Sequence, residues 1–599
     1  MTGIRSTARA LLVAAGLLLA GTSAATELAA PVRVDEKVVV PDSTQVVAEQ
    51  WRAPLLAKMA AASVRLLDMD PARVQSVQAA NASAEAKAWQ IGIGRDLRSE
   101  TDASDLQQLA WEPVAGGVVA RLDVVSPGAA ALRVGLALAD APDGLEIRVA
   151  GTVHPQQVHL ARGTDARQLL DAEGLFWTAV TDGERQRLEL FLPADAASAV
   201  SAVSEEGSWA TRRLPLRRIS HLLLAPNSGD ALTKALGSSG SCNIDVACRA
   251  SLGEAFQRAK DAVAHMVFQS GGGTYVCTGT LLNDSGNTGR NWFYTAQHCI
   301  ENQTVANTLV TFWQYEVATC GGGGAGLNRQ MTGGAHLRWS SAERDAALLE
   351  LRGQLPAGIA VTRAGWDSAL LTVNQTVHAI HHPSGDRKKY SRGTYTGPIN
   401  ASYGGPVVAT SRVVWNQGTT EGGSSGSGLF TDGGATFHFR GGLVGGQAAC
   451  GVPAAQNWDG YSRLDLVFPQ IAQFLVSETA DPGPSRDYTG AWYVPSESGW
   501  GLLLHQYPDQ LFATWFTFDG NGRRAWYSLL PEWTADDVAS GTVQRPSGPR
   551  WGPTFNPGQV NFAPAGSFSL TFLSDRQARF TFNVDNVQRT VTLHRLGVP

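Results

Sequence analysis

Short apolar runs, either alternating with polar residues or unbroken, dominate this chain, and long helical periodicity is scarce. Val118-Val119-Ala120-Arg121-Leu122-Asp123-Val124 and Arg187-Leu188-Glu189-Leu190-Phe191-Leu192 alternate, which predicts half-buried strands. Trp292-Phe293-Tyr294 and Ala346-Ala347-Leu348-Leu349-Glu350-Leu351 are apolar enough for strands buried on both faces. One Ala-rich stretch, residues 55–67, reads as helix instead. Toward the C-terminus, Trp492, Tyr493, Trp500, Trp515, Phe516, Phe518, Trp526, Tyr527 and Trp533 crowd around the turn Asp519-Gly520-Asn521-Gly522, a hairpin signal. The pattern predicts an all-β fold of several units.

Length and composition divide the chain further. Its 599 residues exceed what one hydrophobic core supports, so about two to four domains are expected. Arg5 and Arg9 precede an apolar run over residues 10–20 and the small residues Gly21-Thr22-Ser23-Ala24, the pattern of a secretory signal peptide over 1–24. The run is too short to span a bilayer, and no later stretch reaches that length. We therefore expect a secreted product, extracellular or periplasmic. Residues 25–236 form a β-rich region without cysteine, and residues 237–478 are Gly-rich with many strand-like runs. A linker with Asp481-Pro482-Gly483-Pro484 occupies 479–486, and an aromatic all-β unit fills 487–599. The aromatic residues fit either a packed core or a surface that stacks on carbohydrate or another cell-surface ligand.

A formal net charge of −5 on so long a chain gives no electrostatic reason to expect nucleic acid. All six cysteines, Cys242, Cys248, Cys277, Cys299, Cys320 and Cys450, lie in the middle region, which in an exported protein points to disulfides. Zinc is the rival reading, because His298 adjoins Cys299. No two cysteines have the close spacing of zinc ligands, so no metal or other cofactor is expected. Gly271 to Gly273 and Gly321 to Gly324 lack the Gly-Lys-Ser/Thr of a phosphate loop and read as surface loops.

Gly422-Gly423-Ser424-Ser425-Gly426-Ser427-Gly428 offers a serine among small residues, where substrate can come close and backbone N–H groups can face an oxyanion. The Gly-x-Ser-x-Gly elbow of α/β hydrolases is absent. Of twelve histidines, His298 is the best candidate base, since it follows the Trp292-Phe293-Tyr294 strand and adjoins a cysteine that can tether it. His381-His382 is the competing pair, with no such anchor. The carboxylate is Asp345, ahead of its apolar strand, or Asp367, after Gly365-Trp366.

Thr295-Ala296-Gln297-His298-Cys299, Asp345-Ala346-Ala347-Leu348-Leu349 and Gly423-Ser424-Ser425-Gly426-Ser427 occur in the order His, Asp, Ser of chymotrypsin-type proteases. Together with Ser239-Gly240-Ser241-Cys242-Asn243-Ile244-Asp245-Val246, Cys277-Thr278-Gly279, Ala364-Gly365-Trp366-Asp367 and His381-His382-Pro383, the middle region resembles the bacterial lysyl endopeptidases. The resemblance implies two six-stranded β-barrels, a triad of His298, Asp345 and Ser425, and an oxyanion hole at the N–H groups of Gly423 and Ser425. It also implies the disulfides Cys242–Cys450, Cys248–Cys320 and Cys277–Cys299, protein or peptide substrates, and a specificity carboxylate at Asp459, nine residues after Cys450.

Two departures qualify it. Ser424, not an aspartate, precedes the nucleophile, so no ion pair with a new N-terminus can organise the site. Residues 25–236 then read as an inhibitory or chaperoning propeptide, cut between Lys234 and Gly237. Highly active members pair a tryptophan with a histidine near the site, where this chain has Tyr403 and Val444. The expected activity is hydrolysis after basic residues, lysine favoured and arginine accepted. An inactive protease-like adhesion protein, or a protease of other specificity, is the alternative.

Overall fold

The computed structural model describes residues 31–39, 49–53, 62–83, 88–100, 110–142, 144–194, 216–227, 230–231, 239–322, 329–356, 358–476, 487–506, 511–535, 537–550, 552 and 554–596. The signal-like segment, the expected cleavage site between Lys234 and Gly237, and the 479–486 linker lie outside them.

The amino-terminal region is β-rich. Arg185–Pro193 pairs antiparallel with both Gly117–Val125 and Glu146–Gly151, and these strands set Leu122, Val124, Val149, Leu188 and Leu190 into one apolar core. The helix expected over 55–67 is corrected where it is described: Ala62–Arg65 is a strand, parallel to Gly117–Val125. Side-chain burial decides it. Val64 and Leu66 are buried while Ser63, Arg65 and Leu67 are exposed, a two-residue period that overrides the helix propensity of the alanines. The helix lies later, at Pro71–Ser83. Asp70 starts it by accepting the Ala72 N–H (2.9 Å), and Pro71 occupies a first-turn position where no donor is needed.

The middle region is a double β-barrel of the chymotrypsin-like type. Its first lobe contains Val263–Ser270, Gly273–Leu282, Trp292–Thr295, Val310–Trp313 and Ala346–Leu351. Its second contains Thr376–His381, Lys389–Ser402, Val407–Gln417, Gly428–Asp432, Phe437–Gly446 and Trp458–Ser462. The first lobe does not stand alone. Trp89–Asp96 pairs with Gly273–Leu282 on one side and Leu216–Leu222 on the other, so one twelve-stranded sheet runs from the amino-terminal region into the first lobe. The helix Leu464–Leu475 closes the middle region, burying Leu464, Val467, Phe468, Ile471 and Leu475 at helical spacing, with Phe468 beside Trp366.

Three disulfides tie this region: Cys242–Cys450, Cys248–Cys320 and Cys277–Cys299. The tail forms a closed eight-stranded barrel from Gly490–Tyr493 to Val587–Arg595. Trp492, Trp515 and Tyr527 fill its interior, while Phe516, Phe518 and Trp526 stand on its outer surface.

Cys242–Cys450 joins residues 208 apart, so it removes much entropy from the unfolded chain. Replacing both cysteines with serine is expected to cost about 2–5 kcal/mol, read as a lower urea midpoint with a slope no shallower than the parent's, since the uncrosslinked denatured chain exposes more surface. A midpoint equal to that of the parent would contradict this.

Candidate active site

Strand pairing brings the histidine and carboxylate together. Trp292–Thr295 runs antiparallel to Ala346–Leu351 with Thr295 opposite Ala347, so the chain leaving the first and entering the second does so at one end. His298 lies three residues beyond Thr295, and Asp345 directly precedes Ala346. Asp345 takes a left-handed backbone conformation (φ 44°), which turns its carboxylate back toward the histidine. Its Oδ1 accepts the His298 backbone N–H at 2.9 Å, and its Oδ2 lies 2.7 Å from His298 Nδ1. His298 Nε2 lies 2.8 Å from Ser425 Oγ. Asp367 is elsewhere, ion-paired with Arg440 at 3.0 Å.

Ser425 comes from the second lobe, on the loop before Gly428–Asp432. Thr278 of the first lobe grips that loop: its N–H donates to the Ser425 carbonyl (2.8 Å) and its hydroxyl to the Gly423 carbonyl (3.0 Å). Gly423 has φ 88°, a conformation costly for any residue with a Cβ. The N–H groups of Ser424 and Gly426 go to the carbonyls of Glu421 and Leu443. Among the described residues no protein acceptor takes the N–H of Gly423 or Ser425. A pair of free donors beside a serine hydroxyl can receive a developing negative charge.

Cys277, His298 and Cys299 cluster closely enough to hold a metal ion, but the two sulfurs are bonded to each other and supply no thiolate. The bond fixes the loop that carries His298.

Asp459 is wholly buried on Trp458–Ser462, opposite Val413 and Gly446. Its Oδ2 accepts from Trp415 Nε1 and from Thr420 Oγ1, both at 2.6 Å. Tyr403 and Val444 share one apolar cluster with Val408, and the Tyr403 hydroxyl bonds Thr410 Oγ1 at 2.8 Å. Sequence reasoning did not single out Thr278, Trp415 or Thr420 for a role. Thr278 carried a signal as the neighbour of Cys277, whereas Trp415 and Thr420 reach Asp459 only through strand pairing.

The amino-terminal region reaches this site. A Cβ on Gly422 would fall 1.9 Å from the indole of Trp89, so that ring lies directly on the loop that carries Ser425. With the amino-terminal region in place Ser425 is completely buried.

Profiles of the lysyl endopeptidase N-terminal domain and of the lysyl endopeptidase C-terminal domain match residues 65–205 and 236–462. A lysyl endopeptidase of Pseudomonas aeruginosa is 36% identical over 404 residues, which make up 65% of this chain and 81% of that protein. This chain belongs to the lysyl endopeptidase family. It is a serine endopeptidase, with proteins or peptides as substrates. Among solved structures, the MamO protease domain from Magnetospirillum magneticum gives a TM-score of 0.26 at 13% identity, covering 36% of this chain and 98% of that one. The active form of the Rv3671c protease from M. tuberculosis gives 0.25 at 16%, covering 37% and 84%.

Behind the loop lie two buried imidazoles, His265 and His382, with ring centres 5.1 Å apart. Burial pushes His265 down to about 3. Burial, with His265 and Lys388 nearby, holds His382 well below the usual histidine range. Both are neutral in the fold, but in the unfolded chain they gain protons below about 6.5. Their contribution is therefore fully present above that pH and is lost as pH falls toward the folded-state values. Urea titrations should show stability falling from pH 6.5 to 4, and His265→Leu should flatten the slope by up to about 1.4 kcal/mol per pH unit. An unchanged slope would exclude His265 as a source.

Proposed function

We propose that this serine endopeptidase is exported and cuts after basic residues, lysine favoured and arginine accepted, with Ser425, His298 and Asp345 as its triad. The observation that carries the reading is the His298 ring, which spans the Asp345 carboxylate and the Ser425 hydroxyl at 2.7 and 2.8 Å. Ser425 Oγ attacks the scissile carbonyl while His298 Nε2 accepts its proton. Asp345 keeps the other ring nitrogen protonated and offsets the imidazolium charge. The N–H groups of Gly423 and Ser425 receive the oxyanion. The leaving amine takes the proton from His298, and water, activated by the same ring, releases the acyl group.

Selection of a cation needs a buried carboxylate, since an unpaired buried charge is costly. Asp459 fits that need, with two donors fixing one oxygen. Tyr403 and Val444 stand beside Thr410 and Val408 on the neighbouring wall. Lacking the tryptophan–histidine pair, this wall favours lysine without rejecting arginine.

Residues 25–236 act in this reading as an intramolecular chaperone and inhibitor. Support comes from the Trp89–Asp96 strand on the protease sheet and from Trp89 on Gly422. Removal of the region, by a cut between Lys234 and Gly237, uncovers Ser425. The outer aromatics of the tail barrel, Phe516, Phe518 and Trp526, are the surface for a carbohydrate or cell-surface ligand.

Ser425→Ala is expected to lower turnover about 10⁶-fold, to lose labelling by a fluorophosphonate, and to accumulate as an uncut precursor when produced alone. A variant that kept a tenth of the activity would refute the triad, and normal processing would assign the cut to another protease. Asp459→Ala should cost about 3–5 kcal/mol in transition-state binding for basic substrates. A peptide-library profile of the parent enzyme with apolar or acidic residues before the cut would sink the specificity reading.

A further inference from the structure

Ser424 separates the two free N–H donors of the loop, and its own N–H is spent on the Glu421 carbonyl (3.0 Å). Its hydroxyl is thus the side-chain handle in a stretch where Gly422, Gly423 and Gly426 offer none. Glycines leave the backbone free unless something else fixes it. The Ser424 hydroxyl is held by His381, whose Nδ1 lies 2.8 Å away. His381 Nε2 lies 3.1 Å from Ser391 Oγ.

The proton on each atom follows from the ends of this chain. Ser391 Oγ donates to the Thr419 carbonyl at 2.6 Å, and a carbonyl can only accept. Ser391 Oγ must then accept, so His381 carries its proton on Nε2. Nδ1 is left as an acceptor and takes the Ser424 proton, while Ser424 Oγ accepts the Glu421 N–H at 3.3 Å. The circuit leaves the segment at Thr419 and returns to it at Ser424 and Glu421. Its imidazole and its serine hydroxyls are completely buried, so water does not substitute for any partner.

We propose that His381 is a positioning residue for the hydrolysis: acting through Ser424, it holds the peptide planes of Gly423 and Ser425 with their N–H groups aimed at the oxyanion. The inference rests on the triad reading above. His381 touches neither Ser425 nor substrate in this mechanism.

The test uses full-length chains matured by added wild-type enzyme: the parent, Ser424→Ala, His381→Phe and His381→Gln. For Ser424→Ala and His381→Phe, kcat on a lysyl amide should fall about 100-fold with KM within about threefold of the parent. Affinity for a lysinal peptide aldehyde, which forms a tetrahedral oxyanion, should fall in parallel. Binding of benzamidine, which needs the pocket alone, should stay within about threefold. Gln offers both an acceptor and a donor, so His381→Gln should recover at least about tenfold in kcat over His381→Phe. A folded Ser424→Ala enzyme with kcat within about threefold of the parent overturns the inference, as do equal losses for aldehyde and benzamidine. Should His381→Phe fail to fold, nitrogen-15 spectra of the parent decide: a proton on Nε2 is expected, and one on Nδ1 overturns it. Parent enzyme unlabelled at Ser425 by a fluorophosphonate would instead overturn the triad reading beneath it.

Discussion

The site is assembled across two lobes, and Thr278 makes more than one of the bonds that join them. Its N–H and hydroxyl donate to the carbonyls of Ser425 and Gly423. Its hydroxyl accepts the His382 N–H, and its carbonyl accepts the Thr295 hydroxyl at 3.0 Å. One buried residue thereby fixes the Ser425 loop, the loop after Thr376–His381, and the strand end that leads to His298. Each bond is made away from water, where an unmet donor or acceptor would cost about 1–3 kcal/mol. The neighbouring Cys277 adds a covalent tie to Cys299. The distance between serine and imidazole is thus set by a first-lobe strand.

Two carboxylates serve this framework through different surroundings. Asp345 is engaged on both oxygens by one residue, His298, so its position and that of the ring are not independent. Asp459 is instead held by Trp415 and Thr420, groups that do not ionise. The first carboxylate is tied to a single residue, the second to two neutral donors.

Much of this was readable in the sequence because the chemistry is carried by short motifs. His298, Asp345 and Ser425 each sit at the end of a strand or in a glycine loop, and both features leave local marks. The choice of Asp345 over Asp367 had a local mark too, the apolar strand that follows Asp345, but the contacts that separate them in space did not. Those are Thr295 facing Ala347 and Arg440 engaging Asp367, contacts made far along the chain. The same holds for Trp89–Asp96, whose partners lie in Leu216–Leu222 and Gly273–Leu282. A strand's sequence reports which face is buried, not which neighbour it will find. Residues 62–65 show a smaller version of the problem, since alanine-rich composition hid an alternation visible only once Val64 and Leu66 had a core to enter.

The shared sheet has a cost for any form of the enzyme that loses its amino-terminal region. Where Trp89–Asp96 pairs with it, the stretch from Gly273 to Val276 spends its outward backbone groups on that strand. Without it, those N–H and carbonyl groups form an open edge, a template on which a strand from another molecule can add. The exposed stretch is only four residues long in register, bounded by the turn at Gly271 and Gly272 on one side and by the Cys277–Cys299 bond on the other. Shortness is itself a defence against self-association, because a ladder of so few bonds gives an incoming strand little to hold.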